Sequence, residues 1–285
     1  MQSHLFEDAS ISSSKEGVKL AKRPIMRYHG GKWLLAPWLV TYFPAHRLYI
    51  EPFCGAASVL IRKQPSEKEI ISDLDKDTVE VLIRVKDDLP ALLSRLHEFR
   101  HDQRHLELAL THSDAPLERA ARMIARSVFG RASASATSPW ALTLRGAGQT
   151  QRDMQAEWLR KLADLPRASV RLQNTTILKA DALDMIDKFD SRDTLFYLDP
   201  PYLSTTRDNG ADYRAEMSQY DHARLLVALQ KVIGAVVISG YRSELYQEML
   251  ERYGWCRFEK TTFSDRALPR QEAIWLNPSA VRGIR

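Results

Sequence analysis

Seven short apolar or alternating runs punctuate the chain, and most are followed by a segment with helical periodicity. They are LYIEPF (48–53), EIISDLD (69–75), TTILKAD (175–181), TLFYLD (194–199), AVVISG (235–240), CRFEKTTF (256–263) and EAIWLN (272–277). Their length and their β-branched and aromatic content mark them as strands. Between them lie patterns such as DHARLLVALQKV (221–232), with Leu225, Leu226 and Leu229 on one helical face. Strand alternating with helix predicts an α/β fold, a mostly parallel sheet with helices on both faces. The last two runs follow each other closely and read as an antiparallel hairpin at one edge.

The middle of the chain breaks this rhythm. From about Val85 to Ser169 the pattern is mainly helical, first LPALLSRLHEFRHDQRHLELAL and LERAARMIARSVFGRA, then ASASATSP and LRGAGQTQR. The chain therefore divides into a loose tail (1–23), a discontinuous α/β domain (24–85 and 170–285) and a helical insert (86–169). His101 and His105 stand four residues apart with no third ligand nearby, and they read as residues of a surface helix.

Composition is that of an ordinary globular protein: 285 residues, 44% hydrophobic and 27% charged, with net charge +5. The distribution of charge says more than the total. Between Arg119 and Arg152 lie six arginines (119, 122, 126, 131, 145 and 152) and no Asp or Glu. A solvated helix face with a flexible loop would look similar. The absence of any acid among Arg, Ser, Thr and Gly favours a patch that tracks phosphates, so these six are the candidate polyanion-binding residues. Cys54 and Cys256 are far apart, outside any CxxC or Cys/His spacing, and read as two reduced thiols with no metal site. The N-terminus lacks a continuous apolar segment, and the longest apolar runs are strand-length. Both predict a soluble, cytoplasmic protein with no membrane contact.

In an open α/β sheet, ligands bind beyond the carboxyl ends of the strands, where strand order reverses. Four strand ends here carry acids. LYIEPFCGAAS supplies Glu51 and then small residues that let a ligand approach the backbone. SDLD supplies Asp73, 22 residues after Glu51, the distance at which such folds hold ribose hydroxyls, although Asp73 could equally cap a helix. TTILKAD ends in Asp181 and TLFYLD in Asp199. Four in register describe a site.

Asp199 opens the tetrapeptide Asp199-Pro200-Pro201-Tyr202. Proline fixes φ and has no N–H, so this turn presents acceptors only. A carboxylate and the Pro200 carbonyl suit a group with two N–H donors, an amino group. Tyr202 adds a flat face on which a base can stack. The loop that follows, STTRDNGADYRAEMSQYD, is long and polar, a mobile segment or a lid over substrate. LPRQEAIWLNP places Arg270 and Glu272 on the last strand, where they read as a structural pair.

These motifs together resemble the Dam-like (class D12-type) family of DNA adenine-N(6) methyltransferases, which use S-adenosylmethionine. The likeness covers most of the chain in the family's order: RYHGGK (27–32), EPFCGAAS (51–58), SDLD (72–75), an inserted recognition region, ADALD (180–184), DPPY (199–202) and YDHARL (220–225). It implies a Rossmann-like methyltransferase sheet with an inserted target-recognition domain. Tyr28, Gly30, Gly31 and Lys32 are then expected to enclose the cofactor. Glu51, Phe53, Gly55 and Asp73 are expected along its methionine and ribose ends, and Asp181 at its adenine. Asp199, Pro200 and Tyr202 are expected to hold the target base. The implied partner is double-stranded DNA, the protein is taken as a monomer, and the source as bacterial or phage-borne, as in restriction–modification. Two departures stand out: His29 replaces the family's alanine, and Ala57 replaces its second glycine.

Three rival readings fit parts of the pattern. A cytosine-N(4) methyltransferase would use the same acceptors on cytosine's amino group. A non-catalytic DNA-binding protein would carry the fold in degenerate form, but the reacting tetrapeptide is intact. A phosphate-binding loop is excluded by spacing, because Trp33 follows Lys32 and no glycine stands four residues before Gly31.

Overall fold

All seven runs form strands: β1 (Leu48–Glu51), β2 (Lys68–Ser72), β3 (Thr175–Leu178), β4 (Thr194–Leu198), β5 (Ala235–Gly240), β6 (Cys256–Phe263) and β7 (Pro269–Leu276). The protein is described by a computed structural model over residues 21–131, 143–144, 148, 150–206, 216–263 and 269–284. The strands make one sheet in the order β3-β2-β1-β4-β5-β7-β6. β1 to β5 run parallel, with Ile50 beside both Ile70 of β2 and Phe196 of β4. β7 is antiparallel to β5, and β6 pairs antiparallel with β7, so the expected hairpin closes one edge with its second strand inside.

Helices α1 (Ala36–Leu39) and α2 (Ser58–Arg62) flank β1. After β2 come α3 (Lys76–Asp87), α4 (Leu89–His97), α5 (Gln103–Leu110), α6 (Pro116–Phe129), α7 (Gln151–Leu162) and α8 (Leu165–Leu172). α9 (Ala182–Phe189), α10 (Gln219–Leu229) and α11 (Glu244–Met249) follow β3, β4 and β5, and α12 (Pro278–Gly283) follows β7. Local chemistry sets several starts. Thr150 with Asp153, and Ser218 with Asp221, form reciprocal capping boxes at α7 and α10.

The period-2 alternation of β4 divides the core. Leu195 and Tyr197 face one cluster, Phe196 and Leu198 the other, where the inner sides of α9, α10 and α11 pack. The first cluster is larger because the helical insert joins it. Leu92, Leu96, Phe99, Phe129 and Trp158 belong to the same core as Leu60, Tyr49 and Met26. The insert interrupts the α/β domain in sequence but shares its core in space.

Two sequence expectations change here. His101 is buried just ahead of α5, edge-on to the Phe129 ring at 5.0 Å, rather than on a helix surface. His105 is half-buried and meets Asp102 at 2.8 Å. The aromatic centre of the insert explains both. Within the expected loose tail, Ala21 is buried, and the N–H groups of Lys22 and Arg23 donate to Asp164 at 2.7 and 2.8 Å. Residues 1–20 lie outside the described residues.

Candidate active site

Strand order reverses between β1 and β4, since β2 and β3 continue to one side and β5 to the other. At their carboxyl ends, where such sheets bind their ligands, lies an open cleft. Glu51 closes β1, Asp73 follows β2 and Asp199 follows β4, and all three line this cleft. Tyr28, Gly30, Gly31, Lys32, Phe53 and Gly55 line it as well, as does His29.

Two loops form its floor, and their glycines fit by geometry. Gly31 N–H donates to the Tyr28 carbonyl at 3.1 Å, closing a turn in which Gly30 has φ +69. A Cβ on Gly31 would stand 3.0 Å from that carbonyl. Gly55 has φ +47, and a Cβ there would lie 2.8 Å from the Tyr28 ring, so the two loops stack through a missing side chain. Ala57 is itself left-handed at φ 53, which gives a backbone reason for glycine at that position in the family.

The acids are not equivalent. Asp73 accepts from Gly55 N–H at Oδ2 and from Asp75 N–H at Oδ1, both at 2.9 Å, so its carboxylate is fixed in place. Burial outweighs these bonds and pushes it up to about 6. Glu51 is 2% exposed and accepts from the Tyr49 hydroxyl at 2.9 Å. Burial, with repulsion from Asp199 adding to it, pushes Glu51 up to about 8. Asp199 meets Lys32 Nζ through Oδ2 at 3.0 Å, and Lys32 also donates to the Gly30 carbonyl at 2.6 Å. Burial raises Asp199 to about 6 against the pull of Lys32, and the charge of Glu272 adds to the rise. Its other oxygen, Oδ1, is sealed from water and has no hydrogen-bond partner among the described residues.

Tyr202 is 7% exposed. Its hydroxyl donates to Glu272 Oε2 at 2.8 Å, the Tyr241 ring meets it edge-on at 4.6 Å, and Lys32 Nζ sits over its face, 4.8 Å from the centroid. The face expected to receive a base is thus covered by the lysine that pairs with Asp199. Pro200 is buried, and Pro201 lines the cleft.

Other expected residues sit elsewhere. Asp181 is not part of the cleft lining; it is exposed and caps α9 through Leu183 N–H at 2.8 Å. Within the arginine window, Arg119 on α6 pairs with Asp77 of α3 at 3.2 Å, and Arg122 pairs with Glu118 at 2.6 Å while donating to the Thr111 and His112 carbonyls. The window is free of acids in sequence but not in space, so these two arginines brace helices. Arg126 is half-buried in α6. Arg131 and Arg152 are exposed, and Arg145 lies outside the described residues. The loop after the tetrapeptide is described only at its ends, with Glu216 and Met217 lining the cleft.

Arg270 and Glu272, expected as a structural pair, make described contacts that the sequence does not assign: Glu272 reaches Tyr202 from β7, and Arg270 Nη1 reaches the Tyr241 hydroxyl at 3.4 Å. Arg27 has no role assigned from sequence; it donates to the Gly130 carbonyl at 3.2 Å, tying the glycine turn to the end of α6, and its one signal is adjacency to the HGGK motif.

A parallel sheet with an antiparallel edge, acids at the point of strand reversal and a glycine turn beside them define a Rossmann-like enzyme of the nucleotide-cofactor type. The model of the D12 class N6 adenine-specific DNA methyltransferase family matches residues 28–130 and 142–262, and the chain belongs to that family. It is accordingly a methyltransferase that uses S-adenosylmethionine. No curated protein matches it. Among solved structures, a protein provisionally described as an RNA methyltransferase from Pyrococcus horikoshii shares 12% identity, with 91% of each chain covered and a TM-score of 0.39. A precorrin 8w decarboxylase from Methanobacterium thermoautotrophicum shares 9% identity over 90% of this chain and 95% of its own, with a TM-score of 0.37. An rRNA methylase from Streptococcus thermophilus shares 8% over 90% and 98%, with a TM-score of 0.35. These likenesses are too distant to bear on substrate. Among the described residues no helix is long and apolar enough to cross a membrane.

Proposed function

We propose that the protein transfers a methyl group from S-adenosylmethionine to the exocyclic amino group of adenine in double-stranded DNA, acting on a base turned out of the helix. The observation that carries this reading is Asp199 Oδ1, a desolvated acceptor without a hydrogen-bond partner among the described residues, at the wall of the cleft. Leaving such an atom unmet costs about 1–3 kcal/mol, which an N–H donor recovers on arrival. Family membership supplies adenine and DNA.

The residues present suit the cofactor. Gly31 and Gly55 leave no room for side chains where the two loops meet, which keeps the floor of the cleft thin. Tyr28, Gly30, Gly31 and Lys32 would enclose it, Glu51 and Phe53 would take its methionine end, and Gly55 with the fixed Asp73 carboxylate would take its ribose. Bound there, S-adenosylmethionine supplies an electrophilic methyl on a sulfonium.

The chain's own groups do the rest. An exocyclic nitrogen is a poor nucleophile because its lone pair is delocalised into the ring. Asp199 Oδ1 and the Pro200 carbonyl would accept its two N–H groups, favouring a more tetrahedral nitrogen and stabilising the positive charge that develops on it. With Asp199 at about 6, the carboxylate is mostly ionised at neutral pH and serves as an acceptor. Turning out the base costs a few kcal/mol, and stacking on Tyr202 offsets part of this once Lys32 moves off the ring. Arg131 and Arg152, exposed on the insert, are the described arginines placed to meet phosphates.

The test is labelled methyl transfer to duplexes whose only unmodified target is adenine or cytosine, with wild type and Asp199→Ala. Adenine alone should accept label. The variant should lose about a thousandfold in turnover with cofactor affinity kept. Label on cytosine, or near-normal turnover in the variant, would sink the assignment.

A further inference from the structure

Glu272 lies on β7 beside the tetrapeptide, and its one described bond to the site comes from the Tyr202 hydroxyl at 2.8 Å. We propose that Glu272 is the positioning residue for Tyr202, fixing the phenol and so the angle at which the ring meets the target base. This rests on the base-methylation reading above.

The geometry distinguishes an anchor from a chance contact. Tyr202 follows two prolines in a stretch with neither helix nor strand before Ser204, so its own backbone offers little restraint on the ring. Glu272 belongs to β7, which pairs with β6 along its length and with β5 from Ala273 onward. Its neighbour Ala273 sits opposite Gly240 of β5, and Glu272 itself opposite Lys260 of β6. A strand hydrogen-bonded on two sides is a rigid mount. The bond to Glu272 leaves from the hydroxyl tip, in the plane of the ring, and so takes up none of its face; the face that Lys32 covers is the one a base would take. A ring free to swing would lose the alignment on which in-line transfer depends.

Glu272 also acts on Asp199 through charge. The groups facing Asp199 are Lys32 from the glycine turn, Glu51 from β1, Tyr197 from β4, Tyr202 from its own segment, Tyr246 from α11 and Glu272 from β7. Glu272 raises the Asp199 carboxyl, so neutralising Glu272 lowers it.

Two variants test the proposal. Glu272→Ala removes the acceptor, and its kcat should fall about tenfold to a hundredfold with cofactor affinity unchanged. Glu272→Gln keeps an oxygen for the phenol, and its kcat at pH 8 should stay within about threefold of wild type. In the glutamine variant the Asp199 carboxyl, followed by carbon-13 NMR and assigned with Asp199→Asn, should titrate at lower pH, and the acid limb of kcat should follow. Wild-type kcat in the alanine variant overturns the proposal. So does a Tyr202 ring that, by NMR of the labelled side chain, flips no faster in Glu272→Ala than in wild type, which would leave Glu272 a mere support of β7. Should the wild type methylate no adenine, the substrate reading fails, and the Tyr202 ring-flip measurement still decides the proposal.

Discussion

Lys63 and Glu69 meet at 2.6 Å with both side chains almost wholly buried, and Lys32 and Asp199 meet at 3.0 Å nearly as deep. Glu69 lies near the start of β2, away from the cleft, and its carboxylate is satisfied on every side. Lys63, Ser66 N–H and Arg171 Nη2 converge on Oε1, and Arg171 Nη1 reaches Oε2 at 2.5 Å. Burial alone would push Glu69 up, yet Arg171 and Lys63 together hold it below the usual carboxylate range. Among the described residues Asp199 has one cation on one oxygen, Glu272 repelling it and no hydrogen bond to Oδ1, and it is pushed up to about 6. A lysine–carboxylate pair is thus completed at one end of the sheet and left incomplete at the other. Completion is what stability requires, and incompleteness is what a substrate can use.

Stability should separate the two pairs most sharply. Glu69→Gln leaves Lys63 and Arg171 buried without their anion and should cost about 3 kcal/mol in urea denaturation at pH 7, with kcat per folded molecule unchanged. The sign with pH follows from the depressed carboxyl. Its stabilisation is fully present above the ordinary glutamate range and is lost as pH falls through the lower folded value, so the penalty of the variant should shrink in acid. Asp199 runs the other way. Its folded value is raised from 3.8 to about 6, so the charged form costs stability at pH 7. Asp199→Asn removes that cost while stranding Lys32 on the Gly30 carbonyl, and the two should offset to within about 1 kcal/mol. Equal losses in both variants would erase the distinction.

The satisfied end of the sheet and the open end were unequally legible from sequence. Every strand was readable, because β-branched runs between helical patterns leave few alternatives, and the acids at strand ends followed from where parallel sheets place their ligands. What could not be read was which charges find partners. Arg119 is neutralised by Asp77 across a helix pair, a contact 42 residues apart that no local pattern announces. Asp181 shows the converse case, since the acid that suits a ribose site also suits a helix start, and here it caps α9. From sequence Glu272 reads as the structural partner of Arg270, because nothing local announces Tyr202, which arrives from 70 residues away.

The next effect concerns the lysine of the incomplete pair. Lys32 lowers the Asp199 carboxyl by charge and by hydrogen bond, against the larger effect of burial. Lys32→Met should therefore move the acid limb of kcat, measured at saturating cofactor, upward from about 6 into the neutral range. Activity lost at pH 7 should return in part at pH 8.5. A limb that stays in place would mean that Lys32 serves cofactor enclosure alone.

The smallest effect lies at the turn into α2, where Ala57 is the described non-glycine residue with positive φ. Its N–H donates to the Cys54 carbonyl at 2.7 Å, which holds the left-handed conformation in place, and its methyl is fully buried. Alanine there costs about 1–2 kcal/mol relative to an unstrained backbone. Ala57→Gly would relieve that strain but lose a buried methyl worth about 0.8 kcal/mol. Glycine's freer unfolded chain removes about another 0.4–1 kcal/mol. These should nearly cancel, giving a stability change within about 1 kcal/mol and unchanged kcat, because Ala57 does not line the cleft. A large gain in cofactor affinity in Ala57→Gly would instead show that the strain is transmitted through Gly55 to the Tyr28 ring it packs against.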